Sequence, residues 1–266
     1  MQRFHTLYTE RNSQGLEGVL NIEMEVVSEY LHVGSGVYDV EIIKPLDNIS
    51  QLVDKALKGE IPDLSNYFSP VTHEMNKYLG KIVIPGSTVK GLVRSRLELS
   101  INEACYIVSR NSNNFSQRYR QIFRNPQFKR TDDPLRRVCP VCDLLGNSGL
   151  ASRVSFSDLV MVQGKVDYVN VHGEYYESVL KGSKFAGKVV YHSLKPIDLG
   201  MLLYGLGFRL KGGKLEGKVM LMGRFKFSDR RFGRVRFILP SQRQDYVKAL
   251  EDFIKRYNPK DFNEEW

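Results

Sequence analysis

The chain has 266 residues, 42% hydrophobic and 26% charged, which suits a soluble globular protein of one large domain or two small ones. Lysine and arginine total 39 against 30 for aspartate and glutamate, and the net charge of +9 favours an anionic partner, with nucleic acid ahead of a membrane surface. No segment approaches the ~20 apolar residues that span a bilayer, the start Met1-Gln2-Arg3-Phe4-His5 predicts no signal peptide, and three cysteines are too few for a disulfide scaffold, so a reducing cytoplasm is the expected home.

Leu20, Ile22, Met24 and Val26 alternate with polar residues and predict a half-buried strand. It runs into Leu31-His32-Val33-Gly34-Ser35-Gly36, where two glycines permit a tight backbone beside a ligand. Over residues 45–80, Leu52, Val53, Ala56 and Leu57 suggest a short helix, and Gly59, Pro62 and Pro70 break the rest into loops. The strand Lys81-Ile82-Val83-Ile84 stops at Pro85-Gly86, and a helix is predicted to start with Ser87 as its N-cap. Lys90 and Arg94 share a face near that positive end, and Gly91 would let a second backbone come close, which together suggest a phosphate seat. An ordinary capped helix with cations on its wet face explains the same spacing. The order Lys90-Gly91 also departs from the Gly-Lys-Ser/Thr of a P-loop, so ATP or GTP binding is not supported. Val89, Leu92, Val93, Leu97, Ile101, Ala104, Cys105 and Val108 form the apolar stripe of this helix.

Residues 110–137 read as an exposed insertion, with Tyr119, Phe123 and Phe128 among Arg118, Arg120, Arg124, Lys129, Arg130, Arg136 and Arg137, a mixture suited to RNA or partner contact as well as to a solvated loop. Val154 to Val160 reads as a strand, and residues 165–200 as hairpin-like with turns at Gly173, Gly182 and Gly187. From Arg209 to Arg236 the chain is strongly basic, and short strands at Val219–Met222 and Arg234–Ile238 flank a cationic glycine-rich loop. Ser241 with Gln244 resembles a capping box for a C-terminal helix whose core side is Tyr246, Val247, Leu250, Phe253, Ile254 and Tyr257. Strands at both ends, helices between and no regular βα alternation argue for an α+β domain with a ferredoxin-like core and long insertions.

Cys139-Pro140-Val141-Cys142 has the spacing of a zinc knuckle, and Cys105 and His73 are the further donors available for a closed, structural site. Cys105 on an apolar helix stripe is equally a small buried residue. No thioredoxin-like βαβ surrounds the C-x-x-C to support a redox role. The five histidines fall in no metal-enzyme pattern, and Asp39, Asp47 and Asp63 are loop carboxylates with the same reading as solvated residues.

Taken in order, Leu31 to Gly36, Ile84-Pro85-Gly86-Ser87-Thr88-Val89-Lys90-Gly91-Leu92-Val93-Arg94, Cys139 to Gly146, Ala151 to Asp158 and Phe232-Gly233-Arg234-Val235-Arg236-Phe237 resemble the RAMP superfamily of CRISPR-associated proteins, and within it the backbone (seven-type) subunits of type III effector complexes. The resemblance implies a single RAMP domain over residues 1–266 with a modified RNA-recognition-motif core, insertions at about 37–80 and 110–137, and CRISPR RNA, target RNA and other RAMP subunits as partners. Ser87, Lys90 and Arg94 match the segment that contacts guide phosphates. Gly34, Ser35 and Gly36 match the first glycine turn, and Gly223, Arg224, Gly233 and Arg234 match the late glycine-rich loop. Cations and backbone donors of this kind hold phosphates without reading sequence. Target-cleaving relatives carry an Asp upstream of the Ile-Pro-Gly-Ser motif, where this chain has Phe68-Ser69-Pro70-Val71. Phenylalanine neither accepts a proton nor holds a metal, so the resemblance implies RNA binding without target cleavage. The competing expectations are a metal-dependent target-RNA endonuclease that uses Asp39, Asp47 or Asp63, and a stand-alone basic RNA-binding or guide-processing protein.

Overall fold

The computed structural model describes residues 6–7, 14–43, 49–60, 67–104, 116–123, 137–147 and 149–266. Six elements form its frame: β1 (Leu16–Val26), α1 (Gly86–Ser100), β2 (Leu159–Gln163), β3 (Lys184–Leu194), α2 (Pro196–Gly205) and β4 (Arg234–Ile238). The strands lie in the order β4-β1-β3-β2, and each neighbouring pair is antiparallel. This is the ferredoxin-like β-α-β-β-α-β arrangement that the sequence predicts. The sheet extends past β4 with Val219–Leu221, and past β2 with Lys81–Ile84 and then Lys77–Tyr78.

The alternation in β1 is the reason for its place. Leu20, Ile22, Met24 and Val26 are buried, while Glu23 and Glu25 lie only partly covered on the other face. In α2 the logic differs. Leu199, Met201, Leu202 and Leu203 are all buried because the helix packs against α1, β3 and the C-terminal helix Gln244–Tyr257. A Cβ on Gly200 would collide with the Ala249 carbonyl oxygen, so this glycine sets the close approach of the two helices.

Several sequence expectations need correcting here. The stretch 165–200 is not hairpin throughout, because Pro196 opens α2 and Asp198 accepts a hydrogen bond from the Lys195 N–H at 3.0 Å. Gly187 is no turn; it sits within β3 opposite Ile22, against the Leu159 side chain. The C-terminal helix starts at Gln244 with Arg243 before it and no side-chain cap, so Ser241 and Gln244 form no capping box. Helix α1 starts at Gly86, which leaves Ser87 inside the first turn and not at the N-cap, and it ends at Ser100, where Ile101 turns extended. Cys139-Pro140-Val141-Cys142 starts a short helix, Pro140–Leu145, and both cysteines are buried in the main core.

A second sheet is built from the chain between the frame elements. Its order is Val166–Val171, Glu174–Leu180, Thr72–Met75, Gly34–Asp39, and Tyr30–Leu31 pairs with Glu174–Leu180 as well. The helix Ile49–Leu57 lies in the chain between the strands Gly34–Asp39 and Thr72–Met75 and buries none of its residues. Among the described residues no helix is long and apolar enough to cross a membrane.

Candidate nucleic-acid interface

Three segments far apart in sequence are joined by backbone hydrogen bonds. The late loop closes on itself where the Met222 N–H donates to the Gly233 carbonyl at 2.8 Å. Gly223 (φ +82°) and Gly233 (φ +78°) lie in the left-handed region, and a Cβ would strike the His32 carbonyl oxygen at the first and the Met222 carbonyl oxygen at the second. The loop then grips the first glycine turn. Arg224 N–H donates to His32 O at 2.9 Å, Tyr30 N–H to Arg231 O at 2.8 Å, and Gly233 N–H to Tyr30 O at 2.9 Å. On its other side the turn is held by Asn76, whose amide donates to the Val33 carbonyl (3.1 Å) and the Gly34 carbonyl (2.8 Å). The Asn76 carbonyl in turn accepts from Val83 N–H at 2.9 Å, in the strand that feeds α1. The late loop, the first glycine turn and the approach to α1 are therefore one continuous backbone network.

Beneath the turn lies an aromatic floor. The buried His32 has its Nδ1 2.7 Å from the Glu177 carbonyl and meets Tyr176 edge-on. Burial pushes the His32 pKa down, against the effect of that carbonyl. His73 stacks on Tyr176 at 4.4 Å, and its Nε2 is 2.9 Å from Glu174 Oε2. The Arg224 guanidinium is 4.9 Å from the centre of the Tyr176 ring. Ser35 caps locally, accepting from Val37 N–H at 3.0 Å, while Gly36 (φ +81°) is exposed with open space around it.

At the start of α1 the geometry differs from the sequence reading. Gly86 is the close-approach glycine, because a Cβ there would collide with the Phe156 carbonyl oxygen, whereas Gly91 faces open space. The Gly86 N–H donates to Asp158 Oδ1 at 2.8 Å, so a carboxylate already sits at the positive helix end. Ser87 is exposed beside it. Lys90 is half-buried and forms no ion pair among the described residues; burial, and then Arg94, push its pKa down. Arg94 turns inward. It donates to Glu98 Oε1 at 3.2 Å and to the Gly146 carbonyl, and this ties α1 to the end of the Pro140–Leu145 helix.

A sequence model of the RAMP superfamily matches residues 23–259, most of the chain. The chain belongs to the RAMP superfamily. RAMP proteins are CRISPR-associated and bind RNA, and they act in multi-subunit CRISPR complexes. No curated protein matches this chain.

In this RAMP chain Phe68 is half-buried and bridges Ile42, while the Ser69 backbone and hydroxyl clasp Glu41, each at 2.8 Å. Asp39 is exposed on the strand Gly34–Asp39, opposite Thr72. Asp47 and Asp63 lie outside the described residues, as do Cys105, Arg124, Phe128, Lys129, Arg130 and Arg136. Tyr119 and Phe123 are no stacking platform: both are buried with Leu99 against Phe227 and Phe262.

The cysteine pair is compatible with a metal site but supplies only two donors. Cys139 Sγ accepts from Cys142 N–H at 3.3 Å, and the Arg94 guanidinium lies 3.9 Å from Cys142 Sγ. His73, on Tyr176 and Glu174, does not join them, and no group of three potential ligands exists among the described residues. The sequence also gave no hint of the buried Arg96–Glu264 pair, 2.5 Å at its closest, which pins the C-terminal segment beside Val219–Leu221.

Proposed function

We propose that this chain is a CRISPR RNA-binding backbone subunit of a type III complex, holding guide RNA against target RNA beside neighbouring RAMP subunits without cutting the target. The supporting observation is the hydrogen-bonded network that unites the late glycine loop, the first glycine turn and the approach to α1, with Arg224 on the loop and Lys90 on the helix that follows, neither in an ion pair among the described residues. Ser87, Gly34, Ser35, Gly36, Gly223, Gly233 and Arg234 complete the proposed RNA contacts. Arg94, turned toward Glu98 and Gly146, braces the seat from behind. Phe68 offers no group for acid, base or metal chemistry, which is the reason for assigning binding alone.

Tagged protein expressed with the other complex subunits is expected to bring down those subunits and short guide RNA. Recovery of the chain alone would favour the stand-alone RNA-binding reading. The assembled complex, given complementary RNA with Mg²⁺ or Mn²⁺, is expected to leave that RNA intact at this subunit. Cleavage that disappears in Asp39→Ala, Asp47→Ala or Asp63→Ala would establish the endonuclease reading instead. A structural zinc on Cys139, Cys142 and Cys105 belongs to the same proposal. Metal analysis of chelator-free protein is expected to give about one zinc per chain, and its absence would remove the zinc.

A further inference from the structure

Behind the late glycine loop, one concave site has aromatic faces and Arg118 in its lining, and two further arginines lie against the same indole. A cavity of about 310 Å³ lies between the helix Gln117–Phe123 and the far side of the late loop, lined by Arg118, Gln121, Phe227 and Trp266 among others. That volume falls at the lower end for small-ligand pockets, roughly 300–1,000 Å³. Three guanidinium groups surround the single indole: Arg118 at 4.4 Å, Arg234 at 5.2 Å and Arg230 at 5.6 Å from its centre.

Ordinary packing does not explain this concentration of charge. Among the described residues Arg118 bonds to Gln121 Oε1 (2.9 Å), and Arg234 bonds to the carbonyls of Arg230 and Phe232 and to a main-chain oxygen of Trp266. None of the three forms an ion pair with an Asp or Glu side chain among the described residues. The nearby Asp229 is bonded to Arg231 instead, 2.8 Å away. Burial, followed by Arg230, pushes the Arg234 pKa down, with Glu265 and Asp229 offsetting part of the shift. Lys226, whose carbonyl accepts from the Trp266 indole N–H at 3.2 Å, has its own pKa pushed down to about 8 by burial and by Arg96. Like charges gathered at an aromatic face gain most from an anion that also has a planar apolar part.

We propose that this nook is a seat for one nucleotide of single-stranded RNA, its base against the Arg118–Trp266 stack and its phosphate among Arg118, Arg230 and Arg234. Arginine planes and aromatic rings are the surfaces on which unpaired bases stack. Gln121 accepts through its oxygen, so its amide NH2 is the donor for a base edge. Arg234 connects this seat to the glycine loop, because it lies at Gly233 on one side and against Trp266 on the other. The inference rests on the RNA-binding function and adds a base-stacking site to it.

Trp266 is the one tryptophan in the sequence, so indole fluorescence reports on this seat alone. Single-stranded RNA is titrated into the purified chain, and tryptophan emission is followed beside the anisotropy of a fluorescein-labelled strand. RNA is expected to quench the emission with the midpoint of the anisotropy change. Arg118→Ala is expected to remove the quench and weaken binding roughly tenfold. Arg118→Lys is expected to keep the salt dependence but lose most of the quench. An anisotropy rise with unchanged emission would overturn this seat and leave the RNA-binding function standing. No change in either signal would overturn both. Equal quenching by polyglutamate would show an acidic-peptide site and overturn the nucleotide seat.

Discussion

The buried arginines and the outward cations of this protein have different surroundings. Arg96 and Arg153 are buried and matched to carboxylates: Arg96 to Glu264, Arg153 to Asp143 and, at 3.0 Å, to Asp198. Arg94, with Glu98 and the Gly146 carbonyl, belongs with them. Lys90, Arg224 and the trio around Trp266 have burial, rings or main-chain oxygens for company and no ion pair with an Asp or Glu side chain among the described residues. The first set fixes helices and the C-terminal segment in place, and the second is available for an anion. The interior arginines are matched by interior carboxylates, so the net charge of +9 resides on the rest of the chain.

The largest effect expected from this division is in stability. Arg153→Met leaves Asp143 and Asp198 buried without their cation, and denaturant unfolding is expected to show a loss of about 3–5 kcal/mol; a loss under ~1 kcal/mol would move Arg153 out of the structural set. Two glycines in α1 sharpen the contrast in a second way. Gly86→Ala drives a methyl into the Phe156 carbonyl and is expected to cost about 1–3 kcal/mol. Gly91→Ala meets open space and is expected to stabilise the helix by up to ~1 kcal/mol. Equal thermal shifts for the two variants would contradict the assignment of close approach to Gly86.

The third prediction concerns pH. The Lys226 pKa falls to about 8 in the folded protein, below the ordinary 10.5, so the unfolded chain binds the extra proton between those values. Stability is expected to rise from about pH 8 toward 10.5 on this account, and the penalty is fully present below pH 8. Lys226→Met is expected to flatten that rise in urea melts taken across the window, and an unaltered slope would show that Lys226 is solvated. A smaller effect is expected at low pH from His32, whose buried ring resists protonation. Stability is lost as pH falls below its ordinary 6.5, and His32→Gln removes that dependence in the same melts.

What could be read from the sequence follows from which signals are local. The period-two pattern of Leu20, Ile22, Met24 and Val26 identifies β1, and the break at Pro85-Gly86 marks where α1 begins, although its N-cap is Pro85 and not Ser87 and the helix ends at Ser100, before the stripe residues Ile101 and Ala104. Helix α2 escaped because it is apolar on every side, with no polar face to mark its period. Ser87 and Lys90 were visible as a helix start, but not the carboxylate of Asp158 at the helix end, which comes from the loop before β2. The glycine segments at 34–36 and 223–233 were each visible alone. Their union through His32 and Tyr30 was not, because nothing local in a sequence records a contact nearly two hundred residues away. Tyr119 and Phe123 misled for the same reason: arginine–aromatic interleaving looks alike whether the rings face RNA or, as here, Phe227 and Phe262. Arg94 could not be separated from Lys90 until its partners Glu98 and Gly146 were in view.

The most direct test of the division between bracing and anion-facing cations is the salt dependence of RNA affinity, measured by anisotropy with one labelled single strand. Lys90→Ala with Arg224→Ala is expected to weaken binding for every RNA sequence and to reduce the slope of log K against log salt by roughly 1.4, about 0.7 for each lost single-strand phosphate contact, with melting unchanged. Arg94→Ala is expected to lower the melting temperature instead. A double variant with the parent's salt slope would contradict the account.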